Sequence, residues 1–399
     1  MKKIIRVSAI PASLRYLLKG QLKFLSQYYE VIAISSPGDD LLLLKEEEGI
    51  EKTIPINIER KISLFKDCIS LLQLIRTFRR EKPDIVHSIT PKAGLLSMLA
   101  AKVSGVPVRI HTFTGLIFPT SVGLKRKLLI FTDKITCWAA TTVYPEGKGV
   151  MNDLLKNRIT NKPLKILANG NVNGIDVSYF DVIDHSIQAN VKFTFCFVGR
   201  IVQDKGINEL IHAFICLYEQ NPNVELIIVG TFEKNVNSVL PEVRDLILNH
   251  PAIFFKGWQT DIRPFLSNAN AFVFPSYREG FPNVVMQAGA MGLPSIVTDI
   301  NGCNEIIIDG VNGMIIPPKD EKALFQAMSF FIFNPCEVEK MANCSRVMIT
   351  SRYERKLVWN ALLAEYRFLL KEGTCKYDII YQKYFSFVLK ICISLFLNV

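Results

Sequence analysis

Short apolar runs alternate with segments of helical spacing along most of the chain. In the first half, apolar runs predict strands at residues 4–10, 31–35, 84–89 and 108–112. Between them, apolar positions at helical spacing predict helices at residues 13–27, 63–80 and 92–104. Such alternation is typical of a parallel sheet with helices on both faces.

The alternation pauses near residues 169–185 and then restarts. Further strands are predicted at residues 193–198, 226–229, 252–255 and 271–274, with helices at 207–218, 262–267 and 352–370. We therefore predict an α/β fold of two doubly wound, Rossmann-like domains facing a central cleft. Their predicted ranges are 1–180 and 181–370, and residues 371–399 form a C-terminal tail without an assigned role.

One segment predicts a ligand site. The run at 271–274 leads into Glu279-Gly280-Phe281-Pro282-Asn283-Val284-Val285-Met286-Gln287, a tight turn and a short helix, and then into another strand. In an open α/β sheet such a turn lies at the carboxyl edge of a strand, where these folds bind ligands. The free N–H groups at the start of the helix suit a phosphate.

Composition narrows the class of protein. A chain of 399 residues with 49% hydrophobic and 21% charged residues can form two globular domains. Its nine cysteines include no Cys-x-x-Cys pair, which favours reduced thiols in the cytosol over a disulfide framework or a zinc site. The start of the chain is interpreted as a strand and not a signal peptide, because Arg6 interrupts the apolar run.

The net charge of +10 is uneven and indicates an anionic partner. Residues 1–180 carry 27 Lys and Arg against 15 Asp and Glu, while the remainder carries 20 against 22. No recognition motif for nucleic acid accompanies this charge, so an anionic membrane surface is the partner we expect.

No uninterrupted stretch of the sequence reaches the ~20 apolar residues that a membrane-spanning helix needs. The nearest, residues 384–399, contains Lys390 and could lie at an interface.

Four separate motifs together resemble glycosyltransferase family 4. The first is the segment from Glu279 to Gln287. The others are Phe197-Val198-Gly199-Arg200 with Lys205-Gly206 and Glu209, Asn173-Gly174-Ile175-Asp176 with Phe180, and Asn301-Gly302-Cys303-Asn304-Glu305 with Asn312-Gly313. The likeness covers roughly residues 3–370. It departs from the family at Gln287, where the family has a second Glu that holds the nucleotide ribose.

The resemblance implies an activity. It implies a GT-B fold and a retaining transfer of a hexosyl or N-acetylhexosaminyl group from a nucleotide-sugar donor, which we expect to be UDP-linked. The donor would bind the C-terminal domain and the acceptor the N-terminal one. Because the N-terminal half is basic, we expect a lipid-pyrophosphate-linked glycan acceptor. The enzyme would then be cytoplasmic, peripheral at the inner face of the plasma membrane, and would assemble a surface polysaccharide or lipopolysaccharide.

The leaving diphosphate needs positive charge. Arg200 can bind two phosphate oxygens at once and Lys205 supplies a point charge, with Gly199 beside them. The N–H dipoles near Asn283 add to these charges. The chain has no Asp-x-Asp motif of the kind that metal-dependent sugar transferases of the other main fold use, so we predict neither a metal nor any cofactor besides the donor.

The motif at 279–287 supplies the other donor contacts. By the resemblance, Glu279 accepts hydrogen bonds from the hydroxyls of the donor sugar. Backbone groups of Gly280, Phe281 and Asn283 would line the nucleotide, whereas Pro282 has no N–H to offer. The Gln287 amide can still bind a ribose hydroxyl, but without charge. Glu305 follows an Asn-Gly turn and is either a helix cap or a nucleotide contact.

The first domain offers candidate acceptor residues. His111 ends a predicted strand just before a glycine turn, where the resembled family often has a His beside the donor sugar and acceptor. His87 is a weaker candidate on the preceding strand. Lys92 and Ser13 could contact an acceptor phosphate or merely begin helices.

Candidate membrane contacts form two basic clusters. One consists of Arg76, Arg79, Arg80 and Lys82, and the other of Lys125, Arg126 and Lys127 beside Leu124, Leu128 and Leu129.

Two other functions fit the same sequence features. A sugar-nucleotide epimerase can share this two-domain fold and would convert the nucleotide sugar without an acceptor. A non-catalytic subunit that binds the donor is also open, because Gln287 replaces a charged residue of the motif. Product formation from the donor alone identifies the epimerase, and a turnover assay separates the enzymes from the binding subunit.

Overall fold

The computed structural model describes residues 1–59, 63–181, 192–233 and 238–373. The chain forms two compact units. Of the described residues, unit 1 comprises Met1–Pro145, Leu154–Leu167 and residues 359–373, and unit 2 comprises Glu146–Asp153 and the segments between Ala168 and Val358. Three short segments thus belong to a different unit from the one that a boundary at residue 180 assigns. The apolar stretch at 384–399 and most of the predicted tail lie outside the described residues.

Unit 1 contains a six-stranded parallel sheet. Its strands are β1 Lys3–Val7, β2 Glu30–Ser35, β3 Lys52–Pro55, β4 Ile85–Ile89, β5 Val108–Phe113 and β6 Thr142–Pro145. The helices along this part of the chain are α1 Gln21–Ser26, α2 Asp39–Glu48, α3 Leu64–Glu81, α4 Pro91–Val103, α5 Gly123–Ala139 and α6 Lys148–Lys156. The sheet order is β3-β2-β1-β4-β5-β6, so the order reverses between β1 and β4.

Unit 2 repeats this topology. Its strands are β7 Phe193–Val198, β8 Val224–Val229, β9 Ile253–Phe255, β10 Ala271–Phe274, β11 Ser295–Thr298 and β12 Gly313–Ile316. The helices that follow β7 are α7 Ile207–Gln220, α8 Pro241–Asn249, α9 Arg263–Ser267, α10 Asn283–Ala290, α11 Cys303–Ile306, α12 Glu321–Phe333, α13 Pro335–Tyr353 and α14 Arg355–Gly373. The order β12-β11-β10-β7-β8-β9 reverses between β7 and β10.

The central strands of both sheets are almost wholly buried and mostly apolar, as expected for parallel strands that are covered on both faces. In unit 1, Ile5 of β1 pairs with Ile32 on one side and Val86 on the other. In unit 2, Phe195, Phe197, Phe272 and Phe274 are among the largest fully buried side chains. The predicted α/β class with two Rossmann-like parallel sheets is confirmed.

The main departure from the predicted elements lies near the N-terminus. The predicted helix at 13–27 is two pieces, a π-helical turn at Ser13–Leu17 and α1. Gly20 separates them because its φ of 82° lies in the left-handed region, which a continuing helix cannot contain. The preceding strand also ends at Val7, before the predicted residue 10.

Gly206 shows how closely two loops of unit 2 approach each other. It has a φ of 69° and lies directly before α7. A Cβ at this position would overlap the backbone carbonyl oxygen of Pro275, which follows β10. Gly310 has nearly the same φ of 73°, yet a Cβ there would meet nothing within 4 Å. The two glycines therefore share a left-handed backbone conformation, which would strain any other residue. They differ only in the space that is available to a side chain.

We expect Gly206→Ala to destabilise the protein more than Gly310→Ala. Both alanines pay about 1–2 kcal/mol for the left-handed conformation. Only the alanine of Gly206→Ala must also displace the backbone at Pro275. This displacement adds about 1–3 kcal/mol to the loss of stability, as overpacking does in a protein core. Thermal unfolding of both variants measures the difference. Equal melting temperatures would mean that the loop at Pro275 moves freely, contrary to this packing.

Candidate active site

The strand-order reversal in unit 2 brings together the loops that follow β7 and β10. These loops carry Lys205 and Glu279, whose side chains form an ion pair between the lysine Nζ and the glutamate Oε1. Ser276 Oγ donates a hydrogen bond of 2.7 Å to the same carboxylate oxygen. The loops are also joined by their backbones, because Tyr277 N–H donates to the Asp204 carbonyl at 2.9 Å. Two residues predicted from separate motifs thus lie together in the structure.

This ion pair is partly shielded from water. The Lys205 and Glu279 side chains are 15% and 17% exposed, and the lysine Nζ lies 4.9 Å from the centre of the Phe274 ring. Partial burial strengthens electrostatic interactions with a bound ligand. A lysine can neutralise a phosphate, and a carboxylate can accept hydrogen bonds from sugar hydroxyls. The pair therefore offers both chemistries that a nucleotide sugar requires.

Arg200 occupies a more open position. Its side chain is 54% exposed and lies 3.1 Å from both carboxylate oxygens of Glu233. Gly199, just before it, donates its backbone N–H to the Val229 carbonyl at 2.9 Å. Of the two predicted phosphate-binding cations, only Lys205 contacts Glu279 here. An exposed ion pair of this kind stabilises little, so a phosphate can replace Glu233 at low cost.

Helix α10 begins directly after the turn that holds Glu279. Phe281 is buried, with its ring centroid 5.4 Å from that of Tyr353. Gly302, at a φ of 77°, allows the next loop to lie against this turn, because a Cβ would overlap the Gly280 carbonyl oxygen. Gln287 lies on the second turn of α10, partly exposed, and its amide forms no hydrogen bond within the described residues. It is therefore available to a ligand.

Glu305 caps a helix, but not its own. Its two carboxylate oxygens accept the backbone N–H groups of Lys148 and Gly149 at 2.7 and 2.9 Å, at the start of α6. A carboxylate at a helix N-terminus also interacts favourably with the helix dipole. Of the two roles predicted for Glu305, the structure provides the capping role, through a partner that sequence reasoning did not identify.

Sequence reasoning missed two buried polar residues beside this turn. Asn171 donates from Nδ2 to Asn283 Oδ1 at 2.8 Å, at the first residue of α10. Glu146 is 4% exposed, and its Oε1 lies 3.4 Å from the same Asn171 nitrogen. Asn171 could have been suspected, because it lies two positions before the Asn173-Gly174 motif. Glu146 carries no sequence signal that we recognise.

Side chains that commonly bind metal ions do not gather in the described part of the chain. No group of three or more His, Cys, Asp and Glu side chains there could hold an ion. The cysteines of the described segments are free thiols. Cys303 lies near Glu279, and burial together with that carboxylate raises the pKa of its thiol well above the ordinary value. This thiol stays protonated and unreactive.

The predicted position of His111 at an open strand edge is wrong. The residue lies inside β5, which continues to Phe113, and it is 1% exposed. Its Nδ1 lies 2.9 Å from Ser88 Oγ, and its ring faces Gly94 of α4, where a Cβ would overlap it. Burial lowers the pKa of His111 to about 3. The imidazole is therefore a neutral core group in this structure.

Two of the other three candidates of unit 1 have partners within the protein. His87 is buried, with Nδ1 2.6 Å from Tyr366 Oη and Nε2 2.7 Å from Thr112 Oγ1. Lys92, at the start of α4, forms a 2.6 Å ion pair with Asp67. Ser13 begins the π-helical turn and is partly exposed. The partners of His87 and Lys92 favour a structural role for both, whereas Ser13 stays a candidate for acceptor contact.

Two comparisons place the chain among known sugar transferases. Residues 192–334 match the family model of glycosyl transferases group 1, and residues 7–146 match that of glycosyl transferase 4-like proteins. The capsular polysaccharide biosynthesis glycosyltransferase CapM of Staphylococcus aureus is 31% identical over 383 residues, which cover 94% of this chain and 99% of that protein. The UDP-Gal:α-D-GlcNAc-diphosphoundecaprenol α-1,3-galactosyltransferase of Escherichia coli is 28% identical over 82% of this chain and 87% of its own.

The solved structures agree on the fold. HepE of Anabaena, solved in complex with UDP, is 16% identical and superposes with a TM-score of 0.76 over 92% of this chain and 100% of its own. The two doubly wound units and the site at the β7/β10 reversal thus define a glycosyltransferase of GT-B fold. The chain belongs to glycosyltransferase family 4, as the sequence motifs predicted.

We expect His111 to remain uncharged across the physiological pH range. Its buried ring favours the neutral form, so stability from this residue is present above the unfolded pKa of about 6.5 and falls as pH drops towards the folded value. In a proton NMR titration, the imidazole resonance, assigned by its loss in His111→Gln, should keep its neutral-form shift from pH 8 to pH 5. A midpoint near 6.5 would show that the ring reaches solvent.

Proposed function

We propose that this glycosyltransferase moves a hexosyl or N-acetylhexosaminyl group from a UDP-linked donor to a glycan carried on a lipid diphosphate. The transfer retains anomeric configuration, needs no resident metal and serves the assembly of a surface polysaccharide or lipopolysaccharide. Unit 2 binds the donor and unit 1 binds the acceptor. The observation that carries this proposal is the meeting of Lys205 and Glu279 at the strand-order reversal of unit 2.

The site geometry supports donor binding by unit 2. Lys205 exchanges part of its contact with Glu279 for the donor diphosphate, and Arg200 leaves Glu233 to bind a second phosphate oxygen. Glu279 keeps its hydrogen bond from Ser276 and turns its second oxygen towards the sugar hydroxyls. These cations neutralise the leaving group, which is the task that a metal performs in other transferases.

The relatives support the acceptor and the pathway. CapM is named for capsular polysaccharide biosynthesis, and it aligns with nearly the whole chain. The Escherichia coli relative acts on a sugar linked to diphosphoundecaprenol and takes UDP-Gal as its donor. HepE, which shares the fold, was solved with UDP bound. A UDP-sugar and a lipid diphosphate are therefore the substrates most worth testing.

We expect Lys205→Ala to lower kcat/KM for a UDP-sugar by about 10²–10³-fold, the scale for losing one group that stabilises charge in the transition state. Arg200→Ala should do the same if it releases Glu233 for the donor. The assay supplies undecaprenyl-diphosphate-linked sugar to the full chain with a panel of UDP-sugars. Proton NMR of the product gives the anomeric configuration, and retention is expected.

The matched control for the donor assay is Lys192→Ala. Lys192 also forms an ion pair in unit 2, with Glu225 at 3.0 Å, but it lies at the opposite end of the strand β7 from Arg200. We expect normal turnover in this variant. Turnover close to that of the parent in both Lys205→Ala and Arg200→Ala would remove the diphosphate assignment. Product formation from the donor alone would identify an epimerase.

Unit 1 has an exposed apolar and basic surface that suits a membrane. On α5, Leu124, Leu128 and Phe131 form one stripe at helical spacing and are 83%, 43% and 60% exposed. Lys125 and Lys127 lie beside them and are exposed, whereas Arg126 donates to Asn157 at 2.6 Å. Exposed apolar residues bordered by cations are typical of interfacial binding to anionic lipid.

Of the two basic clusters predicted as membrane contacts, only the one on α5 adjoins this stripe. Arg76, Arg79 and Arg80 lie at the C-terminal end of α3, whereas the α5 cluster lies at a helix start. Both helices connect parallel strands in the same direction, so these two ends lie at opposite edges of the sheet. Within the described residues, no helix is both long and apolar enough to cross a bilayer.

We expect the full chain to sediment with vesicles that contain anionic phospholipid at low salt, and to be released at high salt. Each exposed cation contributes up to about 1 kcal/mol, so Lys125→Gln/Lys127→Gln should weaken binding by about tenfold or more. Arg79→Gln/Arg80→Gln removes the same charge at the other end of the helices and should bind almost normally. Equal binding of the two double variants, or no preference for anionic vesicles, would contradict this surface.

A further inference from the structure

A chain of three polar side chains in unit 2 ends at the donor helix. Glu146 Oε1 lies 3.4 Å from Asn171 Nδ2, and that nitrogen donates to Asn283 Oδ1 at 2.8 Å. The Asn171 backbone N–H also donates to the Glu146 carbonyl at 2.8 Å. Asn283 is the first residue of α10, so the chain links Glu146 to the turn that presents Glu279.

The backbone and side chain of Asn171 are fixed in the geometry that this link requires. Its φ of 62° is in the left-handed region, which asparagine adopts more readily than most residues. Its Oδ1 accepts the backbone N–H groups of Asn173 and Gly174 at 2.9 and 2.7 Å, which fixes the side chain. Gly170 lets the segment lie close, because a Cβ there would be 2.8 Å from the Glu146 carbonyl oxygen. The amide NH₂ is thereby aimed at Asn283 and Glu146.

Glu146 is a buried carboxyl group without a cation. It is 4% exposed, and within the described residues it forms no ion pair with a lysine or arginine. The charged groups that face it are Glu279 and Glu305, both acidic. Burial, and then the charges of these two residues, raise the pKa of Glu146 to about 8, despite a backbone hydrogen bond from Val172 that opposes the change.

We propose that Glu146 is a positioning residue for sugar transfer, which holds Asn171 against Asn283 and so fixes the start of the donor helix. This inference rests on the proposed function of unit 2 as the donor site. The carboxyl accepts from the Asn171 amide and from the Val172 backbone N–H, which fixes its own position in this buried network. Glu146 acts through Asn171 and touches neither the reacting sugar nor the diphosphate.

The proposal predicts an alkaline limit to activity. Below about pH 8 Glu146 is protonated and the network is intact. As pH rises through that value, Glu146 becomes a buried negative charge that Glu279 and Glu305 repel, which displaces the turn. The same ionisation affects stability, since an acid with a raised pKa stabilises the fold most at low pH and loses that contribution as pH rises.

The decisive variant is Glu146→Gln, an isostere of the neutral acid that cannot ionise. With a UDP-sugar that the parent accepts, we expect parent kcat/KM to fall above pH 8 by about tenfold per pH unit, as for one ionisation. The variant should match the parent at pH 7 and lack that fall. Asn171→Ala should lower kcat/KM by about 3- to 10-fold, mainly through the KM of the donor, as expected for one lost buried hydrogen bond.

Glu48→Gln is the matched control for losing a buried carboxylate. Glu48 is also 4% exposed, but it lies in unit 1, where its oxygens accept the backbone N–H groups of Gly20 and Lys23 at the start of α1. We expect this variant to melt at a lower temperature and to keep the pH profile of the parent. A purely structural role for Glu146 would make Glu146→Gln resemble this control.

The outcomes separate the two proposals. An alkaline fall that is unchanged in Glu146→Gln, or a parent without one, would overturn the positioning role. If the parent neither binds nor turns over any UDP-sugar, the proposed function fails instead. In that case the melting temperatures still test the ionisation, because the difference between parent and Glu146→Gln should change between pH 5 and pH 8 and a constant difference would refute it.

Discussion

The ion pair between Lys205 and Glu279 joins two loops that the sheet topology forces apart. Where strand order reverses in a doubly wound sheet, the helices that follow neighbouring strands leave towards opposite faces. The loops after β7 and β10 therefore begin side by side and then diverge, which opens a crevice. The ion pair holds them at the point of closest approach. Gly206 makes this approach possible, because no side chain fits between its Cα and the Pro275 carbonyl.

Three glutamates near the turn that presents Glu279 differ in how the protein accommodates their carboxyl groups. Glu279 pairs with a lysine, Glu305 accepts two N–H groups at the start of a helix, and Glu146 is held neutral by burial. These arrangements depend on one another, because the charges of Glu279 and Glu305 both raise the pKa of Glu146. In the proposed donor site, carboxylates compensated in these ways repel a diphosphate less than three free carboxylates would.

The sequence predicted those features that depend on neighbouring residues in the chain. β7 and β10 are bounded as predicted, because strands buried on both faces are mostly apolar along their length. The convergence of Lys205 with Glu279 follows from the reversal of strand order. His111 was misplaced because the end of β5 and the face of the ring depend on tertiary packing, here on the gap at Gly94. The burial of Glu146 and its link to Asn171 join distant segments, which no local pattern encodes.

Gln287 is the residue that departs from the family motif, and its position limits what that departure changes. It lies on the second turn of α10, beyond the first turn where the free N–H groups and the helix dipole act on an anion. The charges that we propose to act on the diphosphate are those of Lys205, Arg200 and Glu279, which are present whatever residue stands at position 287. An amide at this position keeps both a donor and an acceptor for a ribose hydroxyl. Under the proposed function, the change therefore replaces a charge-assisted contact to the nucleotide by a neutral one and leaves the charges near the leaving group unaltered.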